Sequence, residues 1–185
     1  MMTLILASTS PRRLELLKQI GIMPDSVMAP DCDETPLKNE KPEALAVRLA
    51  IAKASAGRLK HPNSFIVAGD TVVQARAKLL PKCENDAQVK KCLQMLSGRR
   101  HRVIGGVCVI NPDGKIFSRM VITTVAFKRL HKDEIEAYVA SGEGVGKAGG
   151  YALQGRAAAF IKFLSGSPSN VIGLPLHETA QLLQG

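Results

Sequence analysis

Tryptophan is absent from this 185-residue chain, and phenylalanine and tyrosine bring the aromatic share to only 4%. Proteins that hold single-stranded nucleic acid stack its bases on aromatic side chains, so this scarcity argues against that class. Carboxylates are also in short supply. Sixteen Asp and Glu face 25 Lys and Arg, for a formal charge of +9. That excess suits a polyanionic partner, whether nucleic acid, a membrane surface or a nucleoside triphosphate, and does not choose among them. The basic residues are scattered rather than gathered into one run, and no helix-turn-helix, RRM or OB signature is recognisable. Cys32, Cys83, Cys92 and Cys108 form no CxxC pair and no zinc spacing, and the histidines form no HExxH. Such thiols are expected to stay reduced, which points to a cytoplasmic protein. No apolar run reaches the roughly 18 residues of a membrane span, and no signal-peptide pattern opens the chain. What is present is an apolar content of 45%. That is the share of an ordinary globular protein, in a length that suits one domain or two small lobes.

Along the chain, strand-like and helix-like segments alternate. Residues 2–7 read as a buried strand. Leu14, Leu17 and Ile20 follow at helical spacing, with Gly21 placed to close the helix. Residues 27–29 read as a short strand and 30–41 as a polar loop carrying Asp31, Asp33 and Glu34. Pro42 opens a long helix with Leu45, Leu49, Ala52 and Ala56 expected on its apolar face. Residues 64–74 form another apolar run. Asn85 can cap a helix holding Val89, Leu93 and Leu96 that ends at Gly98. Residues 101–110 and 115–128 are β-rich and flank the turn signal Asn111-Pro112-Asp113-Gly114. A short helix over 133–140, a glycine-rich loop over 142–150, a strand over 160–164 and a helix over 175–183 complete the pattern. Strands alternating with helices, plus a hairpin in the second half, predict a mixed α/β sheet with flanking helices.

Several residues carry chemistry. The first apolar strand runs into Ser8-Thr9-Ser10-Pro11-Arg12-Arg13. Ser10 suits an N-cap and Pro11 the first helical position. The helix N-terminus and the two arginines then favour phosphate. Asp70 interrupts an apolar strand, where a carboxylate is costly unless it is paired or bound to a cation. Val72 and Val73 continue the strand beyond it, which disfavours a role as a mere strand-end cap. A carboxylate so placed suits a divalent cation or an oriented water. Lys53, in an alanine-rich helix, and Lys82, after Pro81, say little alone, and Arg48 reads as structural or solvated. The loop from Gly142 to Tyr151 fails as a phosphate-binding P-loop, because Ser141 and Ala148 stand where glycine and a hydroxyl residue are required. It also fails the GxGxxG pattern at Lys147. Gln154 offers an amide that can read a nucleobase edge or cap a turn.

In order, the segments Ser8 to Arg13, Asp33-Glu34-Thr35-Pro36, Arg48-Leu49-Ala50 with Lys53-Ala54, Gly69-Asp70-Thr71, Pro81-Lys82 and Leu96-Ser97-Gly98 resemble the Maf family of nucleoside triphosphate pyrophosphatases. Lys147-Ala148-Gly149-Gly150-Tyr151 with Gln154-Gly155, and Val171 to Leu176, extend the likeness over essentially the whole chain as one domain, 1–185. The resemblance implies a mixed α/β fold similar to that of inosine triphosphate pyrophosphatases, with two lobes around a cleft. It implies hydrolysis of a nucleoside triphosphate to the monophosphate and pyrophosphate, with Mg²⁺ or Mn²⁺. On that reading Asp70 is the catalytic base and a metal ligand with Glu34. Ser8, Arg13, Lys53 and Lys82 bind substrate, and Arg12, Thr71 and Gln154 choose the base. Those three positions match the dTTP/UTP branch, whereas the Asp33-Glu34-Thr35-Pro36 loop is closer to the 7-methyl-GTP branch. The alternatives are a 7-methyl-GTP or broad-specificity enzyme, and a non-catalytic nucleotide sensor linked to cell division. Neither nucleic acid nor membrane is required as a partner, and a homodimer is left open.

Overall fold

The computed structural model describes residues 3–184, so Met2, expected in the first strand, lies outside the described residues. The strands form a seven-stranded sheet in the order β2-β1-β3-β5-β6-β7, with β4 paired to β3. They are β1 (Leu4–Ala7), β2 (Ser26–Met28), β3 (Phe65–Ala75), β4 (Lys78–Leu80), β5 (Arg100–Ile110), β6 (Ile116–Phe127) and β7 (Ile161–Ser165). The helices are α1 (Pro11–Gln19), α2 (Pro42–Lys60), α3 (Asp86–Leu96), α4 (Lys132–Ala140), α5 (Pro168–Ile172) and α6 (Leu176–Gln184). No helix among the described residues is long and apolar enough to cross a membrane. The mixed α/β expectation is met, because β1 runs parallel to both β2 and β3 while β3–β4 and β6–β7 are antiparallel. The chain divides into two compact units, and β3, β5 and β6 each contribute residues to both.

The first unit comprises Met1–Thr71, Gly105–Val121 and Gly173–Gly185. Its core is built from small aliphatic side chains, among them Ile5, Ala7, Ala50, Ala54, Ile66, Ala68, Cys108 and Ile110. Small residues let the α2 backbone lie close on the strands. A Cβ on Gly57 would stand 2.8 Å from Ile66 Cγ2, and one on Gly106 would collide with the Ala46 carbonyl. The buried face of α2 is Leu45, Ala46, Leu49, Ala50, Lys53, Ala54 and Gly57. Ala52 and Ala56, expected on that face, are only half-buried, and Lys53 has moved onto it. The cause is that seven near-featureless Ala and Gly positions give the helix little periodic contrast, so close approach to the sheet decides the rotation.

The second unit comprises Val72–Ile104 and Ile122–Ile172. Its core joins aliphatic side chains such as Leu93, Leu96 and Val125 to a group of aromatic rings. Phe127 packs edge-on against Tyr151 at 4.9 Å and against His101 at 5.2 Å, and Phe160 joins Phe127 and Tyr138. Asn85 caps α3 as expected, its Oδ1 accepting from the Gln88 N–H at 3.0 Å. The strand β4 was not apparent in the sequence. It follows a two-residue turn, Arg76-Ala77, in which Arg76 adopts φ +56. That place in a hairpin favours glycine, so an arginine there gives no turn signal.

Candidate active site

The strand β1 ends at Ala7 and the chain turns through Ser8 into α1. Ser10 stands at the N-cap position, but its side chain makes no capping hydrogen bond. Ser8 does the local work instead. Its Oγ accepts from the Ser10 N–H at 3.2 Å and from Arg13 Nη1 at 3.1 Å. Arg13, in the first turn of α1, then reaches further. Its Nε donates to the Gly173 carbonyl at 2.8 Å and its Nη2 to Thr71 Oγ1 at 3.3 Å. Thr71 Oγ1 lies 3.4 Å from the same carbonyl. Gly173 holds φ +148, a conformation that L side chains rarely adopt, which explains a glycine at this hub. The resemblance marked Gly173 without assigning it a role. Gly69, next to Asp70, sits in a tight space instead: a Cβ there would stand 3.1 Å from Leu174 Cδ1 and 3.3 Å from the Gly106 carbonyl.

Beside this clamp lies a buried ion cluster. Lys53 Nζ is 2.7 Å from Asp70 Oδ1 and 3.0 Å from Glu34 Oε2. Lys53 and Asp70 are 6% and 7% exposed, whereas the Glu34 side chain is 57% exposed. A buried lysine and a buried aspartate are each unfavourable alone, and each is the reason the other is accommodated. Burial pulls the Arg13 guanidinium below its usual pKa, while the charges of Asp70 and Glu34 pull it back. Burial also raises the Cys32 thiol, and Lys53 opposes that shift. Arg13 and Lys53 are matched in charge by Asp70 and Glu34. The cluster is therefore close to neutral before any ligand arrives.

Arg48 is what holds the loop bearing Glu34. From α2 its Nε and Nη2 donate to the Glu40 carboxylate at 2.6 and 2.9 Å, and Nη2 also reaches the Thr35 carbonyl at 3.0 Å. Asp33 accepts from the Thr35 N–H at 2.8 Å. Arg48 is thus structural, one of the two readings its sequence position left open. Its bonds lower the Glu40 carboxyl and raise the Arg48 guanidinium.

Among the described residues, no group of three or more His, Cys, Asp or Glu side chains is placed to hold a metal ion. Asp70 and Glu34 nevertheless converge on one point, which Lys53 now fills. Two carboxylates suit a Mg²⁺-type ion, which keeps several waters and takes its other ligands from phosphate. The two carboxylates have the chemistry such an ion takes, and the Lys53 ammonium already supplies a positive charge where they meet.

Of the expected site residues, the first unit holds Ser8, Arg12, Arg13, Glu34, Lys53, Asp70 and Thr71. Arg12 is the second residue of α1 and half-buried. Lys82 and Gln154 belong to the second unit, and both are exposed. Lys82 is bridged through its backbone to Ala148. Around it the Cys83 N–H donates to the Lys147 carbonyl at 3.0 Å, and the Gly149 N–H to Pro81 at 3.0 Å. The glycine loop is therefore fastened to the segment that carries Lys82. Gly150 fits only because it lacks a side chain: φ is +72 and a Cβ would stand 3.1 Å from Cys83 Sγ. Nothing in the sequence announced His101, whose ring nitrogen Nε2 lies 2.7 Å from the Tyr151 hydroxyl. Burial lowers its pKa to about 4.

The sequence model of the family described as "Maf-like protein" matches residues 3–185. The chain belongs to the Maf family. A protein of Paramagnetospirillum magneticum called dTTP/UTP pyrophosphatase is 57% identical over 185 residues, covering 100% of this chain and 97% of that protein. One of the same description from Sphingopyxis alaskensis is 57% identical over 183 residues, covering 99% and 96%. Another from Caulobacter vibrioides is 52% identical, covering 98% and 94%. The structure of a HAM1 protein from Coxiella burnetii aligns with a TM-score of 0.56 at 16% identity, covering 100% of this chain and 99% of that one. This likeness concerns the fold, and it agrees with the expected mixed α/β architecture of this Maf chain.

Proposed function

We propose that this Maf protein hydrolyses nucleoside triphosphates, dTTP and UTP foremost, to the monophosphate and pyrophosphate. The observation that carries the reading is the buried Lys53–Asp70 pair with Glu34 reaching the same ammonium. The dTTP/UTP pyrophosphatase description of relatives that match along their length supports the substrate. A water oxygen forms the new bond to the α-phosphorus, the bond to the β-phosphate oxygen breaks, and pyrophosphate leaves. Lys53 occupies Asp70 Oδ1 and holds the carboxylate in place, which leaves Oδ2 to take the water proton. Arg13 presents charge from the first turn of α1, where the helix dipole has the same sign. Ser8 fixes Arg13, and Lys82 and Arg12 contact phosphate oxygens. Asp70 and Glu34 would hold Mg²⁺ or Mn²⁺, which would add positive charge against a triphosphate of about four negative charges. Because Arg13 and Lys53 are already balanced by Asp70 and Glu34, such a cation would add charge that this cluster does not itself supply.

For base choice, the Thr71 hydroxyl is tied to Arg13 and Gly173. It therefore offers a ligand a small methyl-bearing wall, which leaves room for the C5 methyl of thymine. Gln154 presents a donor and an acceptor to O4 and N3–H of the base. Arg12 repels the positive ring of a 7-methylated purine. The whole chain acts as one Maf-like domain. Free thiols at Cys32, Cys83, Cys92 and Cys108 support a cytoplasmic location. Pyrophosphate release is to be measured across dTTP, UTP, CTP and 7-methyl-GTP, with Mg²⁺, with Mn²⁺ and with chelator. Metal-dependent release, fastest with dTTP or UTP, is expected. Faster release from 7-methyl-GTP overturns the base reading, and binding without release overturns the enzyme reading.

A further inference from the structure

The residue proposed to read the base is exposed, and an exposed glutamine on a loop ordinarily samples many positions. The backbone beneath Gln154 is unusually restrained. The Gly155 N–H donates to the Ala152 carbonyl at 3.1 Å, which closes a four-residue turn with Gln154 in its third place. Both ends of that turn are pinned. On the near side the Ala152 N–H donates to the Tyr138 hydroxyl at 3.1 Å, and Tyr151 is held by His101. On the far side the Arg156 N–H donates to Glu143 Oε2 at 2.8 Å, and Arg156 Nε lies 3.6 Å from Glu143 Oε1. Gly155 holds φ −103 and ψ −153, backbone that any residue can adopt. Its lack of a side chain is therefore a matter of space. A Cβ there would collide with Glu143 Oε2 and stand 3.0 Å from its Cδ.

We infer that Glu143 is a positioning residue for base recognition: its carboxylate, seated over Gly155 and on the Arg156 N–H, holds the turn that presents Gln154 to a uracil or thymine ring. This rests on the reading of Gln154 given above. Glu143 touches no substrate. It acts by removing the conformational freedom that Gln154 would lose on binding. The acceptor oxygen carries the larger share of this role, since it bonds the Arg156 N–H at 2.8 Å, while the ion pair to the exposed Arg156 side chain is longer, at 3.6 Å.

The test compares KM for UTP with the inhibition constant of inorganic tripolyphosphate, which carries the phosphates and no base. Glu143→Ala is expected to raise KM for UTP about tenfold with kcat little changed. The tripolyphosphate constant should stay at the wild-type value. Glu143→Gln keeps an acceptor oxygen and should restore wild-type KM. Gly155→Ala should imitate Glu143→Ala by displacing the carboxylate, and the double variant should be no worse than either single one. Equal weakening of UTP and tripolyphosphate in Glu143→Ala indicates general damage to the loop and overturns the proposal, as does additivity in the double variant. Gln154→Ala separates the two layers. If Gln154→Ala raises KM and neither Glu143→Ala nor Gly155→Ala does, the base reading stands and the positioning role falls. If Gln154→Ala leaves KM unchanged, the base reading falls and takes the positioning role with it.

Discussion

The two units of this chain solve the problem of polar function in opposite ways. The first buries its charges. Lys53 and Asp70 sit inside a core of alanine, isoleucine and glycine, and small side chains bring α2 close enough for the ammonium to meet the strand carboxylate. The second buries aromatic rings and leaves its candidate ligand contacts, Lys82 and Gln154, exposed on loops braced from beneath. The difference teaches where specificity of position comes from. In the first unit an ion pair is fixed because breaking it would strand a charge in low dielectric. In the second, the backbone on either side of Gln154 is braced by the Tyr138 hydroxyl and the Glu143 carboxylate, which accept from the Ala152 and Arg156 N–H groups.

The comparison breaks most sharply at Asp70. Asp70→Asn preserves volume and leaves Glu34 to pair Lys53, so the fold should survive. Loss of the base and of one metal donor should lower kcat by roughly a thousandfold. A folded variant with near-normal pyrophosphate release would remove the first unit's claim to the chemistry. Lys53→Met should act on stability as well, because it leaves Asp70 buried without its partner. The expected loss is about 3–5 kcal/mol by denaturant unfolding. Lys53→Met combined with Asp70→Asn should recover part of that loss.

The pH dependence of stability separates the units. His101 has a folded pKa of about 4 against an ordinary value of 6.5, and burial is the cause. The fold therefore favours neutral imidazole, and the unfolded chain takes up the proton first as pH falls. Stability should drop between pH 6.5 and 4 by about 3 kcal/mol and change no further on this account below 4. His101→Phe should abolish that slope in thermal melts. In the first unit the lowered Glu40 carboxyl works in a different window. Its bond to Arg48 stabilises the loop above the ordinary carboxylate pKa of 4.5 and is lost as pH falls through the depressed folded value. The melting slope of Arg48→Ala should differ from wild type only in that acid range.

Smaller effects sharpen the same contrast. Lys82→Ala should raise KM about tenfold with little change in stability, since its ammonium is exposed. Lys60→Ala, at the exposed end of α2, should change KM and stability by no more than about 0.5 kcal/mol. Equal effects at the two lysines would mean that bulk positive charge, rather than a placed contact, draws the substrate.

Much of the fold was legible because local signals were strong. Pro11 and Pro42 open helices, Asn85 caps one, and Asn111 to Gly114 turns a hairpin, with the Gly114 N–H donating to the Asn111 carbonyl at 2.9 Å. The 3-10 turn Arg156–Phe160 and the five-residue α5 were not legible, being too short for a periodic pattern. Ser10 was expected to cap α1 by its side chain. That bond is not made: the Arg13 N–H donates to the Ser10 carbonyl at 3.2 Å, and Ser8 Oγ accepts from the Ser10 N–H and from Arg13 Nη1. Glu143 carried no signal, since the reason for it is a space left by Gly155 twelve residues away.

Residue chemistry, the order of the longer elements and the family were determined by the linear sequence, because strand and helix periods, turn residues and ordered motifs are local properties of the chain. The pairing of Lys53 with both Asp70 and Glu34, the tying of Thr71 and Ser8 to Arg13, and the bracing of Gln154 were decided only by the tertiary structure. Each joins residues from different elements. A buried charge finds its partner by whichever packing leaves neither group desolvated and alone, and that condition can be met only when the whole unit has folded.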